Sequence, residues 1–122
     1  MLNLKHLLMA TETIKISKQS TGTGLYLEDN EGHAGDNTIT TTVDPGDTVV
    51  WKLKDGGGID EITNIYAKST SQDIFSSDPV KQSDGSWKGT VSSSATGSES
   101  YSIDYKIGGT EYTDDPELKV NN

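Results

Sequence analysis

The segment Tyr101-Ser102-Ile103-Asp104-Tyr105-Lys106-Ile107 alternates apolar and polar residues without a break. A period of two puts every second side chain on one face of an extended chain, so this segment reads as a strand with one buried face. The same period recurs along the chain. Ile14 and Ile16 alternate with polar neighbours in TIKISK, and Leu25 and Leu27 do so in GLYLE. Ile39, Thr41 and Val43 share a face, as do Val49, Trp51 and Leu53, and Leu118 and Val120 close the series.

The connections carry matching turn chemistry. Asp44-Pro45-Gly46-Asp47 places Pro where φ is already near its locked value and Gly where φ must be positive, which predicts a type II turn. Ser83-Asp84-Gly85-Ser86 and Ile107-Gly108-Gly109-Thr110 each predict a two-residue hairpin turn. Gly56, Gly57 and Gly58 mark a loop, and so does the serine-rich run Ser92–Ser100. Gly22 and Gly24 form only G-x-G, without the third glycine or the lysine of a phosphate-binding loop, and read as a turn. Short strands with such turns and no long helical stretch predict an all-β, antiparallel Greek-key β-sandwich, with an Ig-like sandwich as the alternative.

A core this thin needs only one domain. The chain has 122 residues, of which 30% are hydrophobic, and Met1, Leu2, Leu4, Leu7, Leu8 and Met9 crowd into its first stretch. Residues 1–10 read as a tail or a mis-set start, Met9 being a plausible second one, and residues 11–122 as the single sandwich. The spacing of Leu4, Leu7 and Leu8 is helical, so a short docked helix competes with that reading. Lys5 and His6 interrupt the apolar start, which leaves no adequate secretory signal, and no apolar run is long enough to span a bilayer. The default expectation is therefore a cytoplasmic protein without membrane insertion.

A formal net charge of -9 argues against nucleic acid and anionic membrane surfaces as partners, since both require basic patches. Cations remain chemically suitable. The absence of cysteine removes disulfides, thiolate nucleophiles, iron–sulfur clusters and thiolate zinc sites together.

The order of the pieces resembles the cupredoxin-like sandwich. Pro45, Gly46, Asp47, Val49 and Trp51 match that family's Pro-Gly-Asp-x-Val-x-Trp opening. Thr63-Asn64-Ile65 falls where His-Asn-Val would stand, and Phe75-Ser76-Ser77 resembles the Phe-x-Ser stretch. Tyr101, Ile103 and Tyr105 resemble the penultimate Tyr-x-Tyr-x-Cys strand, and Leu118-Lys119-Val120 the last one. The resemblance implies the scaffold and, in the same step, the loss of its metal. A blue-copper site needs one thiolate and two imidazoles, usually with a weak axial Met. Thr63 occupies the first His position and Tyr105 the Cys position, and the loop from Gly108 to Glu117 has neither His nor Met.

Other chemistry is sparse. His6 lies in the tail and His33 in the acidic loop LEDNEGHAGDN, where a solvent-exposed histidine is the simplest reading. Calcium is the more serious alternative, because it takes several oxygen ligands from loops. Three groups offer them: Glu28, Asp29, Asn30, Glu31 and Asp36; Asp55, Asp60 and Glu61; and Asp114, Asp115 and Glu117. Asp29, Glu31, Asp36, Asp114 and Asp115 are the weak calcium candidates, without EF-hand spacing. Tyr66, Phe75 and Trp87 offer a possible ligand patch, but the expected arrangement buries Trp51, Tyr101 and Tyr105 and leaves Tyr66 and Trp87 at the edges. The sequence thus points to a non-catalytic, copper-free module, binding or structural, with no cofactor and a protein or small ligand as partner. The alternative is a calcium-dependent extracellular or adhesin-like Ig-type module.

Overall fold

The computed structural model describes residues 10–36, 39–67 and 74–121. The tail or helix expected before residue 10 lies outside the described residues. Strands β1 (Thr11–Lys18), β2 (Leu25–Asp29), β3 (Ala34–Asp36), β4 (Thr40–Val43), β5 (Thr48–Leu53) and β6 (Glu61–Ala67) occupy the first half. Strands β7 (Phe75–Lys81), β8 (Trp87–Val91), β9 (Ser98–Ile107), β10 (Thr110–Asp114) and β11 (Glu117–Val120) follow, and the described residues contain no helix. The alternating segments of the sequence all fall on strands. The Ser92–Ser100 run gives up its last residues to β9, which starts at Ser98.

Two sheets form. One runs β3-β2-β1-β5-β8-β7, and the other runs β10-β9-β11-β4, with β6 paired to the opposite flank of β9. The chain is all-β and its two layers are consistent with a sandwich. The sheets are mixed, however, where antiparallel pairing was the expectation. β1 runs parallel to β5, with Ile14 opposite Trp51, and β4 runs parallel to β11, with Thr41 opposite Leu118. Parallel partners need a long crossover. β2, β3 and β4 separate the first pair and β5 to β10 the second, so the chain has room to return in the same direction. Alternation reports which face is buried and is blind to strand direction.

Two of the three expected turns form as their residues predict, whereas the β7–β8 loop is one residue longer than the expected two-residue turn: Gln82 N donates to Ser86 O at 2.7 Å, which leaves Ser83, Asp84 and Gly85 in the loop. Asp47 N donates to Asp44 O at 3.1 Å, and Gly46 sits at φ 89°, where a Cβ would be strained. Gly108 and Gly109, at φ 57° and 82°, make the doubly left-handed turn that joins β9 to β10.

The core lies between the sheets. Trp51 is fully buried, and its Nε1 donates to the Tyr101 hydroxyl at 3.0 Å. Phe75 and Tyr101 pack on Trp51 with ring centroids 5.9 and 5.5 Å away. Trp87 departs from its expected edge position. It is only 7% exposed, because β7 covers the outer flank of β8 and the β5–β8 register sets Trp87 beside Trp51. Phe75 is likewise a core residue, so Tyr66, Phe75 and Trp87 form no common surface patch.

Candidate functional site

The inward rows of the first sheet do not stay apolar to their ends. On β1 the face of Ile14 and Ile16 continues to Glu12, and on β2 the face of Leu25 and Leu27 continues to Asp29. The register places Asp29 beside Ile14, and Thr41 on β4 of the second sheet meets it across the gap. Polar side chains therefore plug one end of the sandwich.

Asp29 is the hub. Its side chain is 0% exposed. Its Oδ1 accepts the amides of Glu31 and His33, each at 2.9 Å, and its Oδ2 accepts from His33 Nδ1 and the Thr41 hydroxyl, each at 2.8 Å. Burial by itself pushes the Asp29 carboxyl up. The hydrogen bonds from His33, Thr41 and the two amides outweigh it and hold the group below the ordinary carboxylate range. The same bond to Asp29 raises His33, whose ring is half exposed.

Glu31 reaches the other way. Its Oε1 accepts the amide of Thr42 on β4 at 3.1 Å and lies 3.5 Å from His33 Nδ1. Glu12 leans on this group from β1. Burial, a hydrogen bond with Glu31 and the charges of Glu31, Asp47 and Asp29 push its carboxyl up to about 7. One of its oxygens, Oε2, is buried without a hydrogen-bond partner among the described residues.

A family model described as a domain of unknown function, DUF8788, matches residues 7–113. The chain belongs to the DUF8788 family. No curated protein matches it. The family match spans the whole cluster of Glu12, Asp29, Glu31, His33 and Thr41.

In this DUF8788 domain the weak calcium candidates part company. Asp29 and Glu31 come together, with His33, so that one ligand atom from each lies within 4.8 Å of the others. Asp36 sits exposed on β3. Asp114 accepts the Leu25 amide at 2.8 Å, and Asp115 accepts the Ser102 hydroxyl at 2.7 Å. Of the remaining acids, Glu28 meets Lys54 at 3.2 Å, and Asp60 accepts the Gly109 amide at 3.3 Å. Calcium takes about 6–8 oxygen ligands. The Asp29 oxygens are occupied by protein donors, and the trio is wired as a hydrogen-bonded hub. Chelator should accordingly leave the melting temperature unchanged, and so should millimolar calcium. A native-state ligand at 100 times its Kd adds about 2.7 kcal/mol, or several degrees, so a calcium-dependent rise of that order would overturn this account.

The Thr41 hydroxyl and the His33 imidazole, through Nδ1, bind the same oxygen of Asp29. Glu12 escaped the sequence reading although its signal was there: it lies two residues before Ile14, on the buried face.

Thr63 and Tyr105, the two ligand positions of the cupredoxin resemblance, lie on neighbouring strands but turn their side chains to opposite faces of the sheet. A bulge between Ile62 and Asn64 puts Thr63 out of register beside the Ile62–Tyr105 pair. The Thr63 hydroxyl donates to Glu111 Oε2 at 2.7 Å. Tyr105 is buried, stacks on Tyr112 at 5.8 Å, and has Thr23 O at 2.9 Å and Asp114 Oδ2 at 3.1 Å from its hydroxyl. Burial and the Asp114 charge push this phenol up, so it stays protonated.

Proposed function

We propose that this domain is a non-catalytic, copper-free cupredoxin-like module, acting as a binding or structural unit. One observation carries the reading: Thr63 and Tyr105, which match the positions of an imidazole and the thiolate ligand, are both engaged in the protein's own hydrogen bonds, Thr63 on the outer face of the sheet and Tyr105 on the inner one. A hydroxyl and a protonated phenol offer copper little in place of a thiolate and an imidazole. The arrangement of His33 around Asp29 supports the non-catalytic part, since the imidazole is half exposed and hydrogen-bonded to a carboxylate already shared with Thr41.

Copper(II) titration tests the reading. Neither an intense charge-transfer band in the visible nor a copper-dependent rise in melting temperature is expected. Saturable one-to-one binding that Tyr105→Phe abolishes would overturn it.

A further inference from the structure

We propose that copies of this chain stack head to tail, the lysine-bearing outer face of the first sheet docking on the acidic outer face of the second sheet of the next copy. Strand alternation builds the first of these faces. Ile14, Trp51 and Trp87 point inward, so Lys15, Lys52 and Lys88 point out. The register gathers them: Lys15 stands opposite Lys52, and Lys88 stands opposite Val50, two residues before Lys52. Like charges set opposite each other on adjacent strands are unfavourable. Little within the chain offsets them. Among the described residues the three lysines make no ion pair, and Glu28, opposite Lys15, is engaged by Lys54 at 3.2 Å. Asp84 feels the Lys52 charge, but its Oδ1 already accepts the Ser86 amide and hydroxyl at 2.9 and 2.6 Å. Val80, 60% exposed, stands opposite Lys88 and adds an open aliphatic side chain to the same face.

The second sheet presents the opposite charge. Ile103, Tyr105 and Leu118 point inward, so Asp104 on β9, Glu111 beside it on β10 and Glu117 on β11 point out. Their carboxylates are held by hydroxyls rather than by cations: Thr113 donates to Asp104 at 2.6 Å, Thr63 to Glu111 at 2.7 Å and Thr40 to Glu117 at 3.1 Å. Lys106 on this face meets Glu61 at 3.9 Å, and Lys119 lies beyond Glu117 on β11, so the face stays net acidic.

One chain thus carries both halves of a complementary contact. The two faces look in opposite directions, so the contact does not close on itself, and each copy leaves one face free for the next. The formal net charge of -9 repels like copies, and the range of that repulsion decides the outcome. At about 0.15 M salt the Debye length is about 8 Å. Packed sheets lie about 10 Å apart, so charges on the far faces fall outside that range, whereas facing lysines and carboxylates meet inside it. Near-physiological salt therefore favours the stack, and about 1 M salt, with a Debye length of about 3 Å, disperses it.

Sedimentation velocity on the whole protein tests the stack. At about 0.15 M salt the weight-average mass should rise steadily with concentration and pass that of a dimer, and at about 1 M salt it should fall back to that of one chain. Lys52→Glu combined with Lys88→Glu should stay monomeric, and so should Glu111→Lys combined with Glu117→Lys, each with the far-ultraviolet circular dichroism of wild type. Mixing the two variants should restore association, because the unaltered face of each fits the other. A wild type that is monomeric at every concentration overturns the proposal. So does a mass that stops at the dimer, association that survives about 1 M salt, or a pair of variants that fails to associate when mixed.

Discussion

Trp51→Ala should cost about 3–5 kcal/mol, measured as a lower urea midpoint at unchanged slope, because it removes a fully buried indole from between two sheets. Three losses coincide. The transfer free energy of the ring disappears, and the cavity is lined by Phe75 and Tyr101, whose packing against Trp51 is edge-on or tilted. The buried Tyr101 hydroxyl also loses its Nε1 donor. In a domain whose total stability is about 5–15 kcal/mol, the variant sits at the edge of unfolding. Trp87 separates packing from hydrogen bonding. Its Nε1 is buried and finds no partner among the described residues, so Trp87→Phe leaves no donor stranded and should cost clearly less than Trp51→Phe. Equal costs for the two phenylalanine variants would mean that the Trp51–Tyr101 hydrogen bond contributes nothing.

Why Trp87 was misplaced from sequence shows where alternation stops being informative. In WKGTV the pattern correctly points Trp87, Gly89 and Val91 to one face. Whether that face is central or marginal depends on which strand lies outside β8, and the next strand, β7, pairs irregularly and carries Pro79, which hides its own period. The parallel pairs were invisible for a related reason: direction is set by crossovers between distant segments and leaves no local mark. The turns, by contrast, were readable because Gly46, Gly108 and Gly109 hold conformations that few other residues adopt. The acidic cluster was legible in half. Loop composition gathered Asp29 and Glu31, but it also gathered Asp36, which the short β3 turns to solvent. Glu12 and Thr41, from outside the loop, required extending the period of two past the last apolar residue of each row.

The second large effect is expected at Asp29. Asp29→Ala should cost about 2–4 kcal/mol, because hydrogen bonds to a charged acceptor are worth about 1.5–3 kcal/mol each and only the donors that reach water recover part of that. The Thr41 hydroxyl belongs to a residue only 1% exposed, so its donor is the one left stranded. The amides of Glu31 and His33 lie in the turn and can rehydrate, but the turn then loses the contact that closes it. Asp29→Asn keeps the shape but removes the charge together with one acceptor oxygen, since its NH2 must face two of the four donors. The fold holds the Asp29 carboxyl below its ordinary value of 3.8. Its stabilisation is therefore present above that value and lost as pH falls through the depressed one. The stability gap between wild type and Asp29→Asn should be steady from pH 5 to 6 and close towards pH 3. A gap that stays constant into acid would assign the loss to shape rather than charge, and an Asp29→Ala cost below about 0.5 kcal/mol, the range of ordinary surface substitutions, would reduce the hub to a solvated turn.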